Sequence, residues 1–403
     1  MAGSMPAELL QLPPRMLRLG MTLPYDIYDA AGKLMFARGQ VLRDSPLVRS
    51  LIDGGAWVRP EDTAEYQKAL AHRMDTLMHQ DAVLTEIANA EVQFRFDPPA
   101  SRVELPPREA WADLLLHTHL LLREAEPADF EPRLARLRDR LLARARSQPD
   151  ATLLQLVYES GQSFQDYSAR HALLTLLLAE LVAAQLSLNA EQRSALHGAA
   201  LTMNYGAGPA HDRLAQQAEP ASLAQRQALN AHGEHAARRL QALGVRDPAW
   251  LEAVRLHHDA GPGPLGTRAP GEQLARLLRR IDIYGARLAP RRTRTAMSGA
   301  AAARAVYLDE NQQPDEAGAA LIKAVGLYPP GSVVRLADGE VGLVFKRGYS
   351  ASEPLVAALI GKSGTPLSHP VPRDTRQAAH AITASLAPQE LKLRVNLDAL
   401  LKL

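Results

Sequence analysis

The chain has 403 residues, 46% of them hydrophobic, and its 46 Lys and Arg residues nearly balance 44 Asp and Glu residues, giving a net charge of +2. This length and composition predict two or three globular domains and exclude a chain that is disordered throughout. With a net charge this close to zero, the protein has no overall positive potential that would attract polyanions. Nucleic acid is therefore not an expected partner. Because cysteine is absent, any metal site must use His, Asp and Glu.

Three features bear on location. Residues 1–14 lack the basic start and apolar run of a signal peptide. The most apolar stretch, residues 172–188, contains Glu180 and Gln185 and is short for a bilayer span, so it predicts a buried helix. The lack of cysteine fits a reducing compartment. We therefore expect a soluble, cytoplasmic protein with no membrane span.

The N-terminal segment, residues 15–64, predicts a small α+β module. Its expected elements are a strand within 21–29, a turn at 31–33, a strand over 34–38, a short helix from Ser45 and a strand over 56–59. Few side chains in this module are suited to catalysis, so it favours regulation or docking.

Residues 65–150 predict a helical linker that proline pairs interrupt near residues 98 and 106. Within it, residues 130–146 form an amphipathic basic pattern with leucines on one face and arginines between them. One interpretation is a connecting helix with a solvated face, and the alternative is a helix that binds a partner or a membrane surface.

Two further domains follow. Residues 151–326 have helical periodicity almost throughout and predict an all-α bundle. Residues 327–403 predict a small β-rich extension, in which Asp338-Gly339 is the turn of a hairpin between 332–336 and 341–346, and 354–360 is a third strand. The expected fold class is therefore a multidomain, mainly α protein.

Five polar residues lie on apolar faces of the predicted bundle. His257 and His258 end an apolar helix, and His171, His232 and Asp282 lie on apolar stripes of three other helices. Burying a neutral imidazole without a partner is costly. Helical bundles build metal sites from such inward-pointing ligands, and imidazole with carboxylate suits Fe, Mn, Zn or Ni. The alternative is that each is a hydrogen-bonded core residue.

The order of these residues resembles the HD-GYP family, all-α HD-superfamily phosphodiesterases of bacterial cyclic di-GMP signalling. The likeness is carried by His171, His232, the run Val254–His258 and the run Ile281–Tyr284, and it covers about residues 150–326. The tail from Tyr328 looks like the β extension that many such proteins carry. The N-terminal module also resembles the small domain found ahead of this core.

The chain departs from the family where the resemblance matters most for catalysis. The His-Asp pair of the family falls on Met203 and Asn204, and the lysine that usually follows falls on Ala207. The Gly-Tyr-Pro signature has lost its tyrosine in the run 261–265, and Tyr167 stands where a glutamate can precede the first histidine. The sequence therefore indicates a degenerate member.

A literal His-Asp dipeptide occurs at His211-Asp212, beyond a Gly-Ala-Gly-Pro break. Because this register matches a loop of the family, we interpret it as coincidence. The alternative is that His211 or Asp212 acts as a replacement ligand.

The resemblance implies that the motif Asp bridges two metal ions and helps to hold the attacking hydroxide. Asn204 cannot supply that charge, and the thioether of Met203 is a poor ligand for hard divalent ions. The position that would use His171 and Asp282 should therefore be weak. Three imidazoles, from His232, His257 and His258, can still hold one divalent ion such as Fe, Mn or Zn.

An arginine cluster is the candidate anion site, since guanidinium groups suit phosphates. Its members are Arg276, Arg279, Arg280, Arg287, Arg291, Arg292 and Arg294. The resemblance implies phosphate contacts at Arg291 and Arg294, whereas a solvated surface is the alternative, above all for Arg276 and Arg279.

The sequence thus predicts an HD-GYP-like signalling protein that is catalytically impaired and acts as a sensor or protein-interaction module. Its expected partners are cyclic di-GMP and signalling proteins. One alternative is an active metal-dependent cyclic di-GMP phosphodiesterase with a non-standard metal site, and another is an HD-related domain that binds neither metal nor nucleotide.

Overall fold

The structure is a computed structural model. It describes residues 107–403 except 126 and 128, together with residues 9–12, 17, 21, 23, 25–29, 32, 34–37, 40, 42, 48–49 and 55–59. The chain divides into two compact units, Met1–Pro106 and Pro107–Leu403.

The first unit contains a four-stranded antiparallel sheet with strand order β1-β4-β2-β3. The strands are β1 Leu10–Leu12, β2 Ile27–Tyr28, β3 Leu34–Phe36 and β4 Ala56–Val58. Strands β2, β3 and β4 lie inside the three segments predicted as strands, whereas β1 was not predicted. Of the helix expected from Ser45, only residues 48 and 49 are described, and both are helical.

The second unit is mainly helical, as the composition and periodicity predict. Its helices are α1 Pro107–Arg123, α2 Phe130–Ser147, α3 Pro149–Gln162, α4 Tyr167–Gln185, α5 Ala190–Thr202, α6 Gly208–Gln216, α7 Leu223–Asn230, α8 His232–Ala242, α9 Pro248–Leu256, α10 Pro270–Leu288, α11 Gly299–Tyr307, α12 Glu316–Val325 and α13 Leu397–Leu400.

Helix α4 is the centre of this bundle. Leu173, Leu176 and Leu177 are fully buried in one core with side chains from most of the other helices. A helix that is apolar on nearly all sides is typical of such a central position. By length and composition α4 alone among the described helices is apolar enough to cross a membrane, but most of it is buried inside the unit.

Helices α1 and α2 belong to the segment predicted as a linker, and both contribute to the same core. Trp111 from α1 and Leu134 and Leu141 from α2 are buried there. The apolar face of α2 is therefore covered by the protein itself, while its arginines line the other face. This contact removes the apolar surface that a membrane-binding helix would need.

A five-stranded antiparallel sheet, in the order β8-β7-β6-β5-β9, packs against this bundle. Its strands are β5 Val333–Leu336, β6 Val341–Lys346, β7 Leu355–Ile360, β8 Pro366–Asp374 and β9 Ile382–Leu386. The predicted Asp-Gly turn joins β5 to β6, and Gly339 has a φ of +92°, which glycine adopts without strain. Leu154 of α3 packs on this sheet.

Helices α5 and α9 pack closely because Gly198 leaves room for an indole ring. A Cβ at Gly198 would lie 2.6 Å from Trp250, whose Nε1 donates to Thr202 Oγ1 at 2.9 Å. We expect Gly198→Ala to displace this ring and to lower the free energy of unfolding by about 2 kcal/mol, in the range for overpacking. Urea denaturation measures the change. Gly266→Ala, which meets no atom within 4 Å, is the matched control, and equal losses in both variants would contradict the packing argument.

Candidate metal centre

Helices α8 and α9 meet closely enough to bring His232 and His257 together. A Cβ at Gly233 would lie 3.0 Å from the carbonyl oxygen of Arg255 and 3.1 Å from that of Val254. Glycine next to His232 therefore permits the close approach. His232 begins α8, and His257 directly follows α9, so both rings project from helix ends.

Three histidines form one cluster at this contact. The nitrogen atoms that His232, His257 and His258 offer lie within 4.8 Å of one another. The rings of His257 and His258 are 4.1 Å apart between centroids, and that of His232 lies 5.0 Å and 4.8 Å from them. His232 and His257 are buried, whereas His258 is exposed. The expectation that both adjacent imidazoles continue the buried stripe is therefore wrong for His258, which faces solvent and leaves the cluster accessible.

The protonation of the two buried rings is fixed by backbone carbonyls. His232 Nδ1 lies 2.5 Å from Leu229 O, and His257 Nδ1 lies 2.7 Å from Val254 O. A carbonyl oxygen only accepts hydrogen bonds, so each Nδ1 carries the proton. In the neutral rings both Nε2 atoms then hold lone pairs, and these two atoms face each other at 3.1 Å. Two facing lone pairs repel unless a cation lies between them.

Protonating one of the two rings is disfavoured. Burial, with the positive charge of His258 adding to it, lowers the pKa of His257 to about 3. Burial likewise lowers the pKa of His232, and its backbone hydrogen bond only partly offsets this. Both rings are therefore neutral at pH 7, which is the state that binds metal ions.

The geometry of the cluster fits a divalent transition metal ion. Tetrahedral zinc with Zn–N bonds of about 2.1 Å places its ligand nitrogens about 3.4 Å apart, and the His232 and His257 nitrogens are 3.1 Å apart. Metal-bound histidines usually donate their other ring N–H to a carbonyl or carboxylate, as both do here. His232, His257 and His258 would hold the ion, and its remaining positions would face solvent.

His171 and Asp282 form a pair of their own. His171 Nε2 lies 2.8 Å from Asp282 Oδ1, and His171 Nδ1 is buried without a hydrogen-bond partner. Tyr167 stacks parallel on the His171 ring at 5.8 Å, and Gly285 leaves room for that ring. Burial alone would raise the pKa of Asp282, but the hydrogen bond from His171 and the nearby histidines hold it below its usual range. Asp282 thus adds negative charge beside the cluster.

The two positions expected to carry the family's His-Asp pair lie where α5 ends. Met203 follows the last residue of α5, is 1% exposed and packs in the hydrophobic core. Asn204 is half-buried. Neither side chain can supply the anionic bridge that two close cations require.

The sequence placed His211-Asp212 in the register of a loop, whereas the structure places it on a helix. Both residues lie on helix α6, and the ring of His211 meets that of His232 edge-on at 5.3 Å. Asp212 instead faces the bundle, where it accepts hydrogen bonds from Ser168 N at 2.8 Å and from Arg123 at 2.9 Å. Pro209 was taken as part of a break, but proline is favoured in the first turn of a helix. That signal was present in the sequence.

Five members of the predicted arginine cluster fall into two groups. Arg276, Arg279 and Arg280 bind two carboxylates, Glu310 and Asp315, with Arg276 fully buried. Arg276 also donates to Ala260 O at 2.8 Å. These three side chains are therefore structural, and Arg276 holds the loop that follows the paired histidines.

The other group lies near Tyr167. Arg291 lies over the Tyr167 ring, with its Cζ 5.1 Å from the centroid, and donates to Tyr167 Oη at 3.1 Å. Arg294 donates to the carbonyl oxygens of Ala286 and Ala289. Arg294 thus caps the end of α10, whereas Arg291 lies on the tyrosine that stacks on His171.

A cleft of about 630 Å³ borders the cluster through His232. Its walls come from α6, α7 and α8. The described residues that line it include Arg213, Arg238 and Arg239, and none of them carries a carboxylate. A volume of this size is common for small-molecule sites. Its charge favours an anionic ligand.

A second group of metal-ligand types, Asp338, Glu340 and His380, lies in the β-rich part. Lys362 Nζ lies 3.3 Å from Asp338, and Arg373 donates to both oxygens of Glu340 at 2.6 Å and 2.9 Å. Both carboxylates are thus already neutralised by cations, so this group needs no metal.

Comparisons with known proteins give one distant match. No family model and no curated protein match the chain. Among solved structures, Bd1817, a HDG"Y"P protein from Bdellovibrio bacteriovorus, matches with 13% sequence identity and a TM-score of 0.39. The match covers 78% of this chain and 98% of that chain. A likeness of this degree leaves the chemistry of the site to be argued from its own residues.

Proposed function

We propose that the helical unit is a degenerate HD-GYP-like signalling module that holds one divalent transition metal ion at His232, His257 and His258. The observation that carries this proposal is the pair of unprotonated Nε2 atoms facing each other at 3.1 Å in buried, neutral rings. A metal ion removes their repulsion, whereas the alternative of ordinary hydrogen-bonded core histidines does not.

The proposal includes the loss of two-metal hydrolysis. A bound ion would supply Lewis acidity, but the two-metal mechanism of in-line displacement needs a second ion, so that the attacking and the leaving oxygen are both stabilised. Met203 is sequestered in the core and Asn204 is neutral, so the second ion lacks its bridging anion. His171 and Asp282 remain as two of its ligands and pair with each other at 2.8 Å.

The ligand that we propose for the module is cyclic di-GMP, which the module would bind as a signal without hydrolysing it. Three features support an anionic ligand at this place: the cationic cleft next to His232, the absence of carboxylates from its lining, and Arg291 beside Tyr167. Binding of the ligand would then change how the module interacts with signalling proteins, and the protein would work in the cytoplasm as a sensor.

Restoring the motif tests whether the lost pair is the cause of impairment. The double variant Met203→His, Asn204→Asp is expected to bind a second metal ion and to gain conversion of cyclic di-GMP to the linear dinucleotide. Metal analysis and chromatography of the nucleotide products measure both changes. The single variant Met203→Leu, which preserves an apolar side chain in the core, is the control. A double variant that binds two ions but stays inactive would show that the His-Asp loss alone does not explain the impairment.

The second candidate is an active phosphodiesterase with a non-standard site. His211 favours it, because this extra imidazole lies beside His232 in a chain that has lost the motif histidine. This candidate predicts turnover by the unmodified protein in added Mn or Fe, which the sensor proposal excludes.

A further inference from the structure

The proposed metal centre leaves the imidazole of His211 without a role. Its Nε2 is shielded from solvent and has no hydrogen-bond partner. An unmade hydrogen bond at a buried polar atom costs stability. We therefore expect a ligand to supply the missing hydrogen-bond partner of His211 Nε2.

The position of His211 is built by the fold. Asp212, the next residue, accepts from Ser168 N and from Arg123, which anchors α6 on the beginning of α4. Gly208 packs on the same serine, since a Cβ there would lie 3.3 Å from Ser168 Oγ. These contacts fix the position of α6, and they therefore fix His211 beside the three-histidine cluster.

His211 lies beside the three-histidine cluster without belonging to it. Its ring contacts that of His232 at 5.3 Å, but the nitrogens within 4.8 Å of one another are those of His232, His257 and His258. A direct metal ligand would have to lie within that set. His211 is instead placed to contact a molecule bound next to the ion.

The chemistry around His211 favours an oxyanion. The ring of His211 lies 5.3 Å from that of His232, and an imidazole that carries a proton on Nε2 donates a hydrogen bond from that atom. The guanidinium of Arg291 adds a positive charge nearby, and its Nε is also buried without a partner. Two unused N–H donors match the acceptor oxygens of a phosphate group.

We propose that His211 binds an oxyanion ligand of the phosphate or phosphodiester class, through a hydrogen bond from Nε2, next to the ion held by His232, His257 and His258. This inference rests on the proposed function for the ion, but the role of His211 is separable from it. The motif pair at 203 and 204 is lost, and His211 is a different residue of this chain that faces the same centre.

The test uses the full chain loaded with Co²⁺, titrated with inorganic phosphate and followed by the visible spectrum of the cobalt. His211→Ala is expected to weaken phosphate binding about tenfold, since a hydrogen bond to a charged group is lost, while the cobalt stoichiometry is unchanged. His211→Gln, which keeps a side-chain N–H donor, should recover part of the affinity. His369→Ala, at an exposed position of the edge strand β8, is the control and should bind phosphate as the unmodified chain does.

Two other outcomes count against the proposal in distinct ways. Equal phosphate affinity in His211→Ala and the unmodified chain overturns it. Loss of cobalt from His211→Ala makes His211 a metal ligand and also overturns it. If the unmodified chain binds no cobalt, the proposed function fails, and phosphate binding to the metal-free chain, followed by ³¹P NMR, still decides the role of His211 by the same comparison.

Discussion

Replacing His257 with alanine is expected to abolish binding of the metal ion. His257 supplies one of the three ligand nitrogens, and its Nε2 is the one that faces His232 at 3.1 Å. Loss of a residue that only supports a ligand typically lowers metal affinity 10- to 100-fold, so loss of the ligand itself should exceed about 100-fold. Titration with Zn²⁺ or Co²⁺ in a competing chelator measures the change.

His235→Ala is the matched control, because His235 lies on the same helix as His232 but is exposed. It should bind the ion as the unmodified chain does. A His257→Ala protein that retains its folded circular dichroism spectrum and its metal would show that the three-histidine cluster is not the binding site.

Acid is expected to destabilise the metal-free protein through the same residue. The folded pKa of His257 is about 3, below the value of about 6.5 in an unfolded chain. Between these values the unfolded chain binds the proton and the folded chain does not, so the free energy of unfolding falls as pH falls through this window. His257 makes its full contribution to the free energy of unfolding above pH 6.5. Lowering the pH to 5 should remove about 2 kcal/mol of that contribution.

The ionisable groups that face His257 are His258, His232 and Asp282. A comparison of the unmodified chain with His257→Asn, by urea unfolding at pH 6.5 and pH 5 in chelator, isolates the contribution of His257. The difference between the two proteins should change by about 2 kcal/mol over this interval. Parallel changes in both proteins would contradict a neutral, buried imidazole at this position.

The approach of His232 and His257 was predictable because apolar periodicity places side chains reliably on helix faces. Val254 and His257 are three residues apart, and that spacing alone puts the imidazole on the buried side of α9. The same reasoning erred for His258, since adjacent residues on a helix point in different directions. The hydrogen bonds from Nδ1 to backbone carbonyls, which fix the tautomers, have no signature in the sequence.

The helical position of His211 was missed for a different reason. Its helix is only nine residues long and begins with a glycine and a proline, so its pattern resembles a loop. What brings His211 to the centre is the long-range anchoring of Asp212 on α4, 44 residues earlier in the chain. Tertiary contacts of this kind are not encoded in local periodicity.

The parts of the fold that were not predicted also have physical explanations. Strand β8 contains three prolines, Pro366, Pro370 and Pro372, and lies at the edge of its sheet. Proline is tolerated at sheet edges, but it masks the strand pattern in the sequence. For α2, amphipathicity predicts that one face is covered but not by what, and the cover is the bundle core itself.

The most direct test of the central claim is to count the metal ions in the purified, unmodified chain and to measure its cyclic di-GMP turnover in added Mn or Fe. A site built from His232, His257 and His258, with Met203 and Asn204 in place of the motif pair, predicts one ion per chain and no linear dinucleotide. Two ions per chain with robust conversion to the linear dinucleotide would contradict it.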